Sequence, residues 1–237
     1  MIPDQDTNYY RLVAHYESCL ARYGDTHLGV DWPNPQDADK RYEVMLGVIR
    51  PTGGGSSVKL LDFGCGASHL YGYIRERGLD HIDYAGLELS PRFIELCRAK
   101  FPDRTYYHAD LLDPRTELPE FDYLVLNGVL TEKRELSFDQ MWSYGRRLLR
   151  AAWSKTRLGM AFNCMSKQVD WEREDLFHLP LNCLADFLAA ELSRHFIVRQ
   201  DYGLYEYTVY LYRNQVESCL SLEKPSRPTP VPCAPSI

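Results

Sequence analysis

The stretch Val58-Lys-Leu-Leu-Asp-Phe-Gly-Cys-Gly-Ala-Ser68 runs a hydrophobic strand straight into a glycine-rich turn. Val58 to Leu61 suit a buried parallel strand that Asp62 closes. Gly64 and Gly66 carry no side chain to obstruct a ligand, so the turn offers its main chain for close approach. The segment Ser68 to Arg77 is predicted as a helix that Gly78 ends, with the Ser68 hydroxyl capping its first amides.

A dinucleotide site would require Gly-x-Gly-x-x-Gly, and counting from Gly64 the third glycine falls on His69. What stands instead is Asp62-x-Gly64-x-Gly66-x-Ser68. This resembles the first motif of the class I S-adenosylmethionine (SAM)-dependent methyltransferases, an acidic residue followed by alternating glycines. Ser68 departs from that pattern where a third glycine often stands. Structural glycines in an ordinary strand-to-helix turn would leave the same trace.

Working outward, strands and helices alternate in the manner of a parallel sheet covered on both faces. Ile82 to Glu88 reads as a second strand, Arg104 to Tyr107 as a third, Phe121 to Leu126 as a fourth and Leu158 to Cys164 as a fifth. Ser90-Pro91 places a cap and a first-turn proline ahead of a helix to about Lys100. Ser137-Phe-Asp-Gln140 is a capping box opening a helix to about Trp153, and a further helix is expected from Leu181 to Arg194. His195 to Arg199 and Glu206 to Tyr212 form a hairpin around Gly203.

Before the core, Tyr9, Leu12, Val13, Tyr16, Leu20 and Tyr23 mark one face of a helix that Gly24 ends, and a second helix is predicted near Gln36 to Arg50. The reading divides the chain into an N-terminal helical cap and joint over 1–57, a core over 58–213 and a proline-rich tail over 214–237 unsuited to helix or sheet. The order is similar to that of the class I methyltransferases. It implies an α/β, Rossmann-like, seven-stranded, mostly parallel sheet with an antiparallel C-terminal hairpin strand.

Carried over by position, the resemblance implies cofactor contacts at Asp62, Gly64, Cys65, Gly66, Glu88, Leu89, Asp110, Leu111 and Asn127. Glu88 ends the second strand and would accept from the ribose hydroxyls. Asp110 and Leu111 follow the third strand where relatives hold adenine, although Asp110 equally suits a turn cap. Asn127 would line the methionine part of SAM, or serve only as a turn residue. The carboxylate of SAM needs donors, which the glycine-turn amides and Arg41 could supply. A surface role for Arg41 is the plainer expectation. Trp32 would close the site or pack the cap.

Methyl transfer uses a donor that is already activated, so alignment dominates and a base is needed only where the acceptor must lose a proton. His178, in the segment Met165 to Pro180, is the expected catalytic base, against the alternative of a solvated loop histidine. The Asn/Asp-Pro-Pro-Tyr signature of enzymes acting on amide or nucleobase nitrogens is absent. The reading is methyl transfer from SAM to a small-molecule hydroxyl, a sugar or a glycan or metabolite precursor, with S-adenosylhomocysteine as coproduct. N-methylation and a non-catalytic SAM-binding module are the alternatives.

Length and composition fit one such domain: 237 residues, 45% hydrophobic and 13% aromatic. A net charge of -6 argues against a broad nucleic-acid surface. No leader pattern or membrane-length apolar run stands out, and a cytoplasmic protein is expected. Seven cysteines without Cys-x-x-Cys spacing point to reduced thiols and no metal site. Oligomeric state leaves no trace in the sequence.

Overall fold

The computed structural model describes residues 9–51 and 57–214. The proline-rich tail beyond Asn214, with Cys219 and Cys233, and most of the joint lie outside the described residues.

Seven strands form one sheet: β1 Val58–Phe63, β2 Ile82–Glu88, β3 Thr105–His108, β4 Phe121–Leu130, β5 Thr156–Met165, β6 His195–Arg199 and β7 Glu206–Tyr212. Their order is β3-β2-β1-β4-β5-β7-β6. The first five run parallel, and β7 lies antiparallel between β5 and β6. The order reverses between β1 and β4, so the loops leaving these two strands diverge to opposite faces. A crevice opens at such a switch point, at the carboxyl ends of the strands.

The helices are α1 Tyr10–Tyr23, α2 Pro35–Leu46, α3 His69–Glu76, α4 Pro91–Lys100, α5 Phe138–Ser154 and α6 Leu181–Phe187. Alternation within each strand sorts its side chains to two faces. Leu61, Leu124 and Phe162 pack with Met141, Leu148 and Leu149 of α5 and Leu184 of α6. Leu60, Val125 and Ala161 pack on the other face with Met45 of α2, Leu70 and Ile74 of α3 and Ile94 of α4.

Here α2 differs from its expected place in a separate cap. Met45 and, just beyond the helix, Val48 are fully buried, and Tyr210 and Tyr212 of β7 donate hydroxyls to Val44 O and Val48 O. Each such buried aliphatic side chain contributes about 1.5–3 kcal/mol. α2 is thus one layer of the core, and α1 with the 3-10 turn His27–Val30 rides over the strand tips. α2 is also shorter than predicted, because its last turn unwinds at Gly47.

The capping predictions divide sharply. Ser90 Oγ accepts from Phe93 N and Pro91 takes the first turn, while Ser137 and Gln140 make the reciprocal box. Ser68 does not cap α3: it sits in the left-handed region at φ 58°, and its hydroxyl bonds the hydroxyls of Tyr84 and Tyr106 instead. The helix predicted to Arg194 holds α geometry only to Phe187, then closes in a wider π turn over Leu188–Leu192. Among the described residues, no helix is long and apolar enough to cross a membrane.

Candidate active site

The crevice holds two adjoining cavities. The first is lined by Asp62, Gly64, Cys65 and Gly66 from the β1 turn, Glu88 and Leu89 from the tip of β2, and Asn127 from β4. α1 and the residue before it close it from above through Tyr9, Leu12, Val13 and Tyr16. The second is bounded by Trp32, Arg41, Asn163, the 165–178 segment and the start of β7. Tyr16, Trp32, Gly128 and Glu132 line both.

The glycine turn owes its shape to backbone freedom. Gly64 and Gly66 lie at φ 68° and 50°, where a side chain is strained. A Cβ at Gly64 would also come within 2.8 Å of Val129 Cγ2. The turn's amides are not free donors, however. Gly64 N and Cys65 N both donate to Leu87 O, Gly66 N donates to Glu88 Oε2 at 3.0 Å, and Ser68 N donates to Cys65 O. These four amides are therefore spent within the fold, and the expectation that the turn's amides grip an anionic group is corrected accordingly.

Glu88 is the anchor of the first cavity. Beside the Gly66 bond, its Oε1 accepts from Leu89 N at 2.8 Å and Ser90 N at 3.0 Å. Burial raises its pKa, against the lowering effect of these amides. The carboxylate is thus fixed in direction, with lone pairs left for a diol. Asp62 below it is buried and pushed up to about 7 by desolvation, opposed by the Tyr84 hydroxyl that donates to it at 2.8 Å. Asn127 Oδ1 is buried with no hydrogen-bond partner, as suits an acceptor waiting for a ligand.

Three expected cofactor residues sit elsewhere. Asp110 Oδ2 accepts from the hydroxyls of Tyr9 and Tyr10 at 2.5 and 2.9 Å, and its Oδ1 accepts from Leu112 N at 2.8 Å. It latches α1 and caps a turn, while the preceding Ala109 lines the cavity. Leu111 is buried in the core. Arg41 Nε donates to both oxygens of the buried Glu206, at 3.1 and 2.9 Å, with its guanidinium carbon 5.0 Å above the Trp32 ring. Arg41 thus belongs to the second cavity, and the surface role is excluded by its 18% exposed side chain.

His178 also departs from expectation. It is 6% exposed, its Nδ1 lies 2.6 Å from Ser166 O, and its Nε2 accepts from Arg173 N at 3.2 Å. A carbonyl can only accept, so the proton is on Nδ1 and the free lone pair of Nε2 is already taken. The ring splices the 165–178 segment together and has no nitrogen left for a substrate proton.

Several site residues carried no sequence signal. Asn163 Oδ1 accepts from Gly128 N at 2.8 Å, and its Nδ2 donates to Glu206 Oε1 at 3.0 Å. This chain of bonds ties the Gly128 bend to Arg41. Glu132 is pushed up to about 7 by burial first and then by Asp31, against Arg134. Asp31 itself lies 2.6 Å from His15. The pairing of α1 with a residue sixteen positions on has no periodicity to reveal it. His15, Cys19 and Asp31 bring ligand-type atoms within 4.8 Å of one another, but Arg134 donates into the same cluster and already supplies its positive charge.

A family profile described as a methyltransferase domain matches residues 61–151. A protein of Mycobacterium tuberculosis, Rv1506c, whose name assigns it to the methyltransferases, is 30% identical over 151 residues, 62% of this chain and 89% of that protein. The magnesium protoporphyrin IX methyltransferase ChlM from Synechocystis PCC 6803, with bound SAM, has a TM-score of 0.57 at 12% identity over 90% of this chain and 98% of that one. The CcbJ methyltransferase from Streptomyces caelestis has a TM-score of 0.56 at 12% identity, over 83% and 97%. At such identities the solved structures speak for the fold. With the glycine turn, the fixed Glu88 and the sheet order, the chain belongs to the class I S-adenosylmethionine-dependent methyltransferases, an enzyme with SAM as its cofactor.

Proposed function

We propose that SAM lies along the first cavity and that a hydroxyl of a small molecule, such as a sugar or a glycan or metabolite precursor, enters the second and is methylated. The observation that carries this reading is the shared wall: Tyr16, Trp32, Gly128 and Glu132 face both cavities. Bound there, SAM supplies a methyl group already activated on a sulfonium. The residues then have to hold and align. Glu88 accepts from the ribose hydroxyls in the direction its three amides impose. Leu89 and Ala109 supply apolar contact for the adenine, and the unpartnered Asn127 Oδ1 is available to the ammonium of the methionine part.

The second cavity fits a hydroxylated acceptor. Trp171 and Tyr205 line it and are 72% and 61% exposed, flat surfaces suited to stacking a sugar ring. Asp31, Asp37, Asp170, Glu132 and Glu206 also line it, against Arg41 and Arg173. This excess of carboxylates suits hydroxyl donors and disfavours an anionic acceptor. It equally supports a second reading, an amine acceptor. Incubation with methyl-labelled SAM and matched methyl glycosides and amino sugars, followed by NMR of the product, separates the two: O-methyl product is expected, and N-methyl product alone overturns the hydroxyl reading.

A further inference from the structure

Methylation of a hydroxyl releases a proton, and His178 has no nitrogen left to take it. Glu132 has what His178 lacks. It lines both cavities where they meet, and its side chain is 13% exposed. Its Oε2 is buried and receives no hydrogen bond, the nearest cations being Arg134 Nη1 at 3.5 Å and His15 Nε2 at 3.8 Å. An acceptor left unsatisfied at the junction of two cavities is an open place for a donor hydroxyl.

The main chain under Glu132 is clamped. Phe177 N donates to Thr131 O at 2.7 Å, while Lys133 N and Arg134 N both donate to Asp175 O, at 3.0 and 2.9 Å. Its carboxylate is flanked by a second acid, Asp31, held in place by His15. Arg134 Nη2 donates to His15 Nδ1 at 3.2 Å, and a guanidinium cannot accept, so the His15 proton is on Nε2 and points to Asp31 Oδ2 at 2.6 Å. Asp31 and Arg134 both hold left-handed backbone, φ 57° and 48°. Of the described non-glycine residues only Ser68, in the cofactor turn, shares that state. Such backbone persists where surrounding structure enforces it, and it clusters at active sites.

We infer that Glu132 is the catalytic base, with Asp31 and His15 as the positioning pair behind it; the inference rests on the hydroxyl reading above. As the acceptor oxygen bonds to the methyl carbon, the methyl–sulfur bond breaks with its electron pair left on sulfur, and the acceptor's proton passes to a Glu132 oxygen. S-adenosylhomocysteine, the methyl ether and protonated Glu132 result, and the proton returns to solvent through the second cavity.

The groups facing Glu132 set its working range. Burial, the negative charge of Asp31, a side-chain hydrogen bond shared with Asp31 in the neutral form, and the charge of Asp175 favour its neutral form, and Arg134 favours the charged form. His15, Tyr16 and Arg173 complete the surroundings. Because the base must be ionised to accept, the rate rises with pH through about 7 and levels above it.

The test compares full-length wild type with Glu132→Gln and Asp31→Asn. In glutamate labelled at the side-chain carboxyl carbon, NMR should find one resonance titrating near 7, absent in Glu132→Gln and shifted downward in Asp31→Asn. With methyl β-glucoside as hydroxyl probe, Glu132→Gln should lose about 100-fold or more in turnover and lose the rise with pH. Its affinity for S-adenosylhomocysteine by calorimetry should stay within about twofold, since the carboxylate is not an anchor of the nucleoside. A variant that keeps its turnover and pH profile overturns the inference. Wild type that methylates only amino sugars overturns the hydroxyl reading instead. In that case the NMR arm decides for Glu132: a titration near 7 supports a proton-accepting site, and one in the ordinary carboxylate range overturns it.

Discussion

The two cavities face each other across one wall and are built in opposite ways. The first cavity stands on nearly continuous main chain, the β1 turn and the tip of β2, with Glu88 aimed by three backbone amides. The second cavity is assembled from α1, the residues just after the 3-10 turn, α2, the end of β4, β5, the 165–178 segment and β7, and side chains set its shape. Main-chain geometry leaves local marks in a sequence. Side chains gathered from distant segments leave none.

The sharpest way to separate the halves is to break the buried chain of the second cavity. Glu206→Ala leaves Arg41 and Asn163 without their partner at a 1% exposed site. Urea unfolding should show a loss of about 3–5 kcal/mol, while the folded fraction keeps its affinity for S-adenosylhomocysteine. Equal loss of nucleoside binding would mean that the halves are not independent.

The converse break is Gly64→Val. At φ 68° and with Val129 in the way, the turn must shift. Calorimetry should show about 100-fold weaker nucleoside binding, together with a stability cost of about 1–3 kcal/mol.

A smaller effect distinguishes Asp62, which supports the turn from below. Its folded pKa of about 7 is raised by burial. The folded chain therefore holds a proton that the unfolded chain has already released, so this contribution is full below the ordinary aspartate range and disappears as pH climbs through about 7. Melting curves should show wild type losing stability over that rise at up to about 1.4 kcal/mol per pH unit, the worth of a tenfold change in proton affinity. Asp62→Asn should remove the decline.

The smallest effect belongs to the latch between α1 and the core. Tyr10→Phe removes one exposed bond to Asp110 and should cost about 1 kcal/mol or less. Stopped-flow release of a fluorescent nucleoside should nevertheless quicken by about threefold, because α1 roofs the first cavity.

The same division explains what was legible in the sequence. Strand order, the Ser90 and Ser137 caps, the hairpin and Glu88 all rest on neighbours within a few residues or on one motif. Ser68 misled because a local capping rule lost to Tyr84 and Tyr106, which approach it across the sheet. α2 was separated from the core because its hold on β7 spans more than 160 residues. His178 misled because a histidine in an irregular segment looks free until its backbone partners are seen. Glu132 had no motif at all; its environment comes from α1, the 3-10 turn and the 175–178 segment.

The most direct test of nucleoside binding anchored by Glu88 is calorimetric titration of S-adenosylhomocysteine into wild type, Glu88→Ala and Glu206→Gln. One nucleoside per wild-type chain is expected, with at least about tenfold weaker binding in Glu88→Ala and unchanged binding in Glu206→Gln. Full affinity in Glu88→Ala would contradict that anchoring, as would equal losses in both variants, which would return Arg41 to the carboxylate of SAM.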